Sequence, residues 1–328
     1  MNRVRWGVVG AGDVCERKSG PPLYRVDRSE LVLVHRRDRQ AGEDFARRHA
    51  GRYVASFEEL VGSDEIDAVY VASPHALHAD QSIAALEAGK HVLVEKPMAL
   101  SAADCTRMVD AAVAADRSLA VAYYRRGYPS IGRVRELADA GTIGTITGMS
   151  VNGQFPTSHR LDLVHYLVGD VEAVRLAPGS ADGYRFERKA GHIEARARSR
   201  GAGSDDAPVL VTLSDSWGET GVPEALVVRG EHGVIHLADL KGGAITVNPP
   251  DGATSSPGAA DDAASRPAEH IDTGGLPFPH WGLVENVVAH LLDGAPLLCD
   301  GVEGRKSTVV LDALAAAEAD GTHEWRPV

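Results

Sequence analysis

The stretch VVGAGDVC, residues 8–15, constrains this chain more than any other. It comes after an apolar run, VRWGVV, and precedes a polar, helix-like segment. A strand that runs into Gly-x-Gly and then a helix is how a parallel α/β sheet presents bare backbone to a dinucleotide pyrophosphate. The first glycine, Gly10, permits the tight turn, and the second, Gly12, lets the backbone approach the phosphates. The third position must be small for helix and strand to pack closely, and Cys15 stands there instead of glycine. Asp13 and Val14 lie in the same turn and join Gly10 and Gly12 as candidate cofactor-binding residues.

The segments after the turn fit such a sheet. LVLVH, AVYVAS, HVLVEK and LAVAYY are further short apolar runs. DRQAGEDFARRHA, ALHADQSIAALEAG and SAADCTRMVDAAVAAD lie between them with helical patterning. Gly89 marks a helix stop, and Ser101 with Asp104 reads as a capping box with Asp in the usual Glu place. Strands alternating with helices predict a Rossmann-type parallel sheet covered on both faces, assigned to residues 1–122. The remainder, 123–328, predicts an α+β domain. A helix near 129–140, a strand in GTIGTITGMSVNG and a helix carrying His159 come first. HIEARARSR, PVLVTLSDSW, EALVVRG, GVIHLADL and GAITVNP then read as strands of an open, mostly antiparallel sheet. The segment 249–275 is rich in Pro, Gly, Ala, Ser and Asp and reads as a surface loop. Helices over HWGLVENVVAHLLDG and near 303–318 close the chain.

Composition narrows the function classes. With a net charge of −12 over 328 residues, the chain is not expected to have nucleic acid as a partner. No apolar run approaches ~20 residues, so no membrane span is expected. The first residues enter a strand at once, so no signal peptide is expected. Cys15, Cys105 and Cys299 are odd in number and far apart, which fits a reduced, cytoplasmic compartment and no metal site.

The second strand sets the cofactor expectation. An NAD-binding domain usually places an acid near its end, to hold the ribose hydroxyls. Here the run is His35, Arg36, Arg37, and the first acid is Asp38. Paired guanidinium groups suit a 2′-phosphate, so NADP(H) is favoured, with NAD(H) left open. The alternative makes Arg36 and Arg37 solvated charges and Asp38 a helix cap. Arg196, Arg198 and Arg200 alternate along HIEARARSR, and a solvated sheet face is preferred there to an anion site.

Several motifs together resemble the Gfo/Idh/MocA oxidoreductases, which include glucose–fructose oxidoreductase and inositol dehydrogenase. They are the GAG turn, VASPHALH at 71–78, Glu95-Lys96-Pro97, AYYRR at 122–126, SHRLD at 158–162 and LVENVVAHLLDGAPLL near the end. The resemblance implies hydride transfer between a nicotinamide and a carbinol carbon of a sugar, cyclitol or nucleotide-linked sugar. It also implies a homo-oligomer formed through the second sheet. Lys96, at a strand's carboxyl end, would hydrogen-bond the reacting oxygen, with Glu95 orienting it. Ser73, Pro74 and His75 join Glu95 and Lys96 on the cofactor side. His75 and His78 have the spacing of a metal pair, but helix-start packing is the preferred reading.

By the same resemblance His159 is the catalytic histidine and Asp162 its companion one turn on. His159, Asp162 and Tyr166 share one side of a helix, with His159 expected to face a cleft. Many relatives carry an Asp four residues before this histidine, in a glycine-rich approach. Here Phe155 holds that place, Thr157 replaces a glycine, and the approach is shorter. Three accounts stay open: a different substrate, a pocket completed by another subunit, or a cofactor-binding sensor with a lost active site. Reduction of an imine or another non-sugar group is a further alternative.

Overall fold

The computed structural model describes residues 2–153, 155–177, 192–200, 207–214, 224–248 and 269–328. The chain divides into two compact units, one formed by 1–127 with 276–308, the other by 128–275 with 309–328. The first unit thus takes in a segment from the far end of the chain, which a single boundary at 122 does not describe.

In the first unit six strands form a fully parallel sheet. They are β1 (Val4–Val9), β2 (Ser29–His35), β3 (Arg52–Tyr53), β4 (Ala68–Val71), β5 (His91–Val94) and β6 (Leu119–Val121). Their order, β3-β2-β1-β4-β5-β6, is that of a doubly wound dinucleotide-binding sheet. The apolar runs of the sequence are these strands, and β4 is buried along its whole length. The crossover helices are α1 (Pro22–Arg25), α2 (Arg39–Arg48), α3 (Phe57–Val61), α4 (His78–Glu87) and α5 (Ala102–Ala115). Asp38 caps α2, accepting from the Ala41 amide at 3.0 Å, and Ser101 caps α5 through the Asp104 amide at 3.1 Å. Asp104 accepts the Ser101 hydroxyl in turn, at 2.8 Å.

The later segment joins this unit by backbone as well as side chains. The Val121 amide donates to the Cys299 carbonyl at 3.0 Å, and buried Arg126 donates to the Leu298 carbonyl at 2.8 Å.

The second unit holds α6 (Pro129–Asp139), α7 (Thr157–Leu167) and a nine-stranded sheet. Its strands are β7 (Ile146–Asn152), β8 (Val171–Leu176), β9 (His192–Ala197), β10 (Val209–Ser214), β11 (Ala225–Gly230), β12 (Gly233–Leu237), β13 (Ile245–Asn248), β14 (Glu269–Ile271) and β15 (Arg326–Pro327). The order is β14-β13-β12-β11-β7-β10-β9-β8-β15, antiparallel except where β10 runs parallel to β7. Burial alternates along β9 and β10, leaving one face open.

Two details differ from the sequence reading. Glu269–Ile271, read as loop, pairs with β13 as an edge strand. Three residues are too few to show a strand period; the rest of that segment to 268 lies outside the described residues. β9 also ends at Ala197, short of Arg198 and Arg200, while all three arginines stay exposed, as the solvated reading expects. Arg196 stacks over Trp325 at 4.1 Å, Arg198 pairs with Glu172 at 2.5 Å, and Arg200 donates to the Leu167 carbonyl at 3.2 Å. The remaining helices are α8 (Trp281–Asp293) and α9 (Gly301–Ala319).

Gly282, in the first turn of α8, packs directly on Gly127. A Cβ at Gly282 would stand 2.3 Å from the Gly127 carbonyl oxygen, far inside contact distance. Gly282→Ala should therefore force α8 away and cost about 1–3 kcal/mol, as overpacking does. The expected result is a lower urea midpoint with an unchanged slope; an unchanged midpoint would contradict this packing.

Candidate active site

The glycine turn leaves β1 with Gly10 at φ +83°, a conformation that a side chain would strain. A Cβ there would also stand 2.4 Å from the Ser73 backbone, so the turns after β1 and β4 press together. Gly12 is different: a Cβ on it would meet only the Gly10 carbonyl oxygen, at 3.7 Å. Space lies open over Gly12, as a pyrophosphate approach requires. Asp13 and Val14 are exposed beside it, and Cys15 is buried at the packing position. Helical winding starts here with a π turn over Cys15–Ser19. Burial pushes the Cys15 thiol up to about 12, so it acts as a small apolar residue.

The end of β2 separates Arg36, Arg37 and Asp38. Arg36 donates to the Ala11 carbonyl at 2.8 Å, which fixes a guanidinium against the glycine turn. Arg37 is exposed. Asp38 is taken up as the cap of α2.

The turns after β4 and β5 are joined by His78, which is fully buried. Its Nδ1 lies 2.9 Å from the Pro97 carbonyl and its Nε2 2.9 Å from the Ser73 carbonyl. Burial lowers its pKa more than these carbonyls raise it. A neutral imidazole has one N–H, so one of the two carbonyls accepts it at any moment. His75 packs edge-on against His78, with centroids 5.4 Å apart. Pro74 is exposed, and the Ser73 hydroxyl donates to Gln81 at 2.6 Å. Among the described residues no three His, Cys, Asp or Glu side chains gather as metal ligands.

Glu95 is the unexpected centre. It follows directly on β5, yet its side chain is buried, at 7 % exposure. One oxygen accepts the Tyr70 hydroxyl at 2.5 Å and His280 Nε2 at 2.9 Å; the other accepts the Lys96 backbone amide at 3.1 Å. A carboxylate only accepts, so Nε2 carries the proton. Burial pulls the Glu95 pKa up, but the His280 hydrogen bond, the Lys96 charge and Tyr70 together hold it down at about 2. Tyr70 is pushed well above the phenol range by burial and then by the Glu95 charge. Glu95 is thus tied to Lys96 by a backbone hydrogen bond, and the Lys96 charge helps to keep it ionised. Lys96 itself is half-buried.

The sequence reading missed Tyr70 and His280. Tyr70 had one signal, a hydroxyl on a fully buried strand, which needs a partner. His280 had none, since its partner lies 185 residues earlier.

His159 and Asp162 belong to the second unit, on α7, and Lys96 to the first. Both α7 residues are buried, with His159 1 % exposed. The reason is that α7 is buried through most of its length, Thr157 to His165. Arg160 anchors it, donating to the Ser214 carbonyl at 2.7 Å. Phe155, in the place of the relatives' acid, is 1 % exposed.

A depressed carboxyl pKa has a defined consequence. The stabilisation by Glu95 is complete above its ordinary pKa of 4.5 and is lost as pH falls toward about 2. Glu95→Gln should be less stable than wild type at neutral pH, and the gap should narrow through that window. A gap that stays constant across it would contradict a buried, charged Glu95.

A family model described as an oxidoreductase family with an NAD-binding Rossmann fold matches residues 4–123. A 1,5-anhydro-D-fructose reductase from Ensifer adhaerens is 31% identical over 236 residues, 70% of this chain and 67% of that protein. Oxidoreductase P35 from Formosa agariphila is 32% identical over 203 residues, 53% of this chain and 63% of its own. Two further curated relatives are matched over 44% and 46% of their length, so the matches span roughly half to two thirds of these proteins. In fold, the WlbA dehydrogenase from Bordetella pertussis, solved with NADH and UDP-GlcNAcA, covers 100% of this chain and 98% of its own, with a TM-score of 0.76 and 22% identity. With the Gly10–Gly12 turn, the parallel sheet and the Glu95-Lys96-Pro97 strand end in one unit, these matches mean that the chain belongs to the Gfo/Idh/MocA family of oxidoreductases.

Proposed function

We propose that this chain is an NADP(H)-dependent oxidoreductase that moves a hydride between the nicotinamide and a hydroxyl or carbonyl carbon of a sugar-like molecule. One observation carries the reading: Lys96 is fixed in the same unit as an open glycine turn. Gly10 packs on Ser73, and His78 ties Ser73 to Pro97, the neighbour of Lys96.

The residues present fit a dinucleotide. Gly12 leaves room for a pyrophosphate, and Arg36 stands against the turn. Because Asp38 is occupied as a helix cap, Arg36 and Arg37 are the groups left for the ribose end, which favours a 2′-phosphate. NAD(H) is the second choice; the WlbA complex was solved with NADH. When bound, the nicotinamide supplies the hydride donor or acceptor. Lys96 hydrogen-bonds the substrate oxygen and stabilises negative charge as a carbonyl is reduced. In this proposal His159, with Asp162 one turn on, holds or moves the proton of the substrate hydroxyl. Removing a group that stabilises only the transition state lowers kcat more than it changes cofactor affinity.

The substrate is proposed to be larger than a free monosaccharide. Supporting this are the short approach to α7, apolar Phe155 in the acid's place, and the nucleotide-linked sugar in the WlbA complex. The open sheet face, where Leu210 is 49% exposed, is the proposed surface of a homo-oligomer. A second reading, a cofactor-binding sensor, draws on the same Phe155, which removes an acid from the pocket.

A panel of free sugars, cyclitols and nucleotide-linked sugars, followed by NADPH absorbance, separates these readings. Nucleotide-linked compounds should react best, and Lys96→Met should lower kcat roughly a hundredfold with cofactor affinity kept. Unchanged turnover in Lys96→Met would remove Lys96 from the chemistry. Cofactor binding without turnover of any compound would favour the sensor.

A further inference from the structure

We propose that His280 is a positioning residue for Lys96, acting through the Glu95 carboxylate. The inference rests on the proposed role of Lys96 and extends it to a residue far along the chain.

The geometry is a relay of fixed bonds. His280 is fully buried just before α8, and its ring stacks on Tyr124 with centroids 4.3 Å apart and a 33° tilt. That packing sets the plane of the imidazole. Nε2–H then donates to Glu95 Oε1, the oxygen that also takes the Tyr70 hydroxyl. Two donors on one oxygen fix the carboxylate's rotation, so the other oxygen faces the Lys96 amide. The Lys96 charge in turn is one of the influences that keep Glu95 ionised. His280 Nδ1 has no hydrogen-bond partner among the described residues. The ring's polar function is thus directed at Glu95.

A group used only for packing would be replaced by another flat ring. If His280 acts through its N–H, a ring without that donor must fail while a non-ring donor partly succeeds. His280→Phe keeps the stack on Tyr124 and removes the donor; His280→Gln keeps an N–H near the Nε2 position. Loss of orientation at a reacting group lowers rate more than binding.

The test has two readouts. The first is steady-state turnover with NADPH and the best substrate of the panel. The second needs no turnover: the rate at which trinitrobenzenesulfonate labels Lys96 compared with exposed Lys241 of the second unit, read by peptide mass spectrometry. His280→Phe should lower kcat about tenfold with the NADPH KM within about twofold. Its Lys96 labelling should rise about threefold relative to Lys241, because the Lys96 backbone amide loses its fixed carboxylate acceptor and the residue is less firmly positioned. His280→Gln should recover at least half of both effects. In the double variant Glu95→Gln/His280→Phe, the losses should not multiply, since both changes break one relay. Wild-type labelling in His280→Phe, equal damage from Gln and Phe, or multiplying losses would each overturn the proposal. If wild-type protein turns over nothing, the functional reading fails, and the labelling comparison alone still decides the positioning role.

Discussion

A carboxylate removed from water must be met by donors or take up a proton. Glu95 is such a group, and much of the first unit is arranged around it. Tyr70 reaches it from β4, the Lys96 amide from the turn after β5, and His280 from a segment nearly two hundred residues later. Hydrogen bonds to a charged group contribute about 1.5–3 kcal/mol each, and leaving a buried charge short of donors costs at least as much. His280 is thus one of the contacts by which residues 276–308 pack as part of the dinucleotide-binding unit. Lys96 follows Glu95 at the carboxyl end of β5, the edge at which open parallel sheets bind their ligands.

The backbone geometry serves that arrangement. Gly10 lets the β1 turn press on Ser73, and buried His78 spans from Ser73 to Pro97. Three turns at the carboxyl ends of β1, β4 and β5 are thereby held as one surface. Gly12 stays open in it, and Arg36 is tied to its edge. Rigid placement of this kind is what hydride transfer needs, because the protein contributes orientation and electrostatics while the cofactor supplies the chemistry.

Most of the fold was legible because strands buried on both faces read as unbroken apolar runs. VRWGVV, LVLVH and AVYV needed no further information to be placed. The place of Lys96 just after β5 was legible from a short local motif, and Asp38 as a cap from its position before a helix. His280 was not legible, since its role depends on a partner distant in sequence. β14 was too short to show a period, whereas Arg196, Arg198 and Arg200 are exposed as a solvated row should be, although the strand stops at Ala197. The burial of His159 was hidden for another reason: helical spacing gives a side but not what covers it.

The central claim is that the Gly10–Gly12 turn receives a nicotinamide dinucleotide. Calorimetric titration of NADPH and NADH into wild type and Gly12→Val tests it most directly. The added side chain would occupy open space rather than protein, so folding should be unaffected. The account predicts saturable binding to wild type, tighter for NADPH, and loss of both in Gly12→Val at an unchanged melting temperature. Undiminished binding in Gly12→Val, or none in wild type, would contradict it.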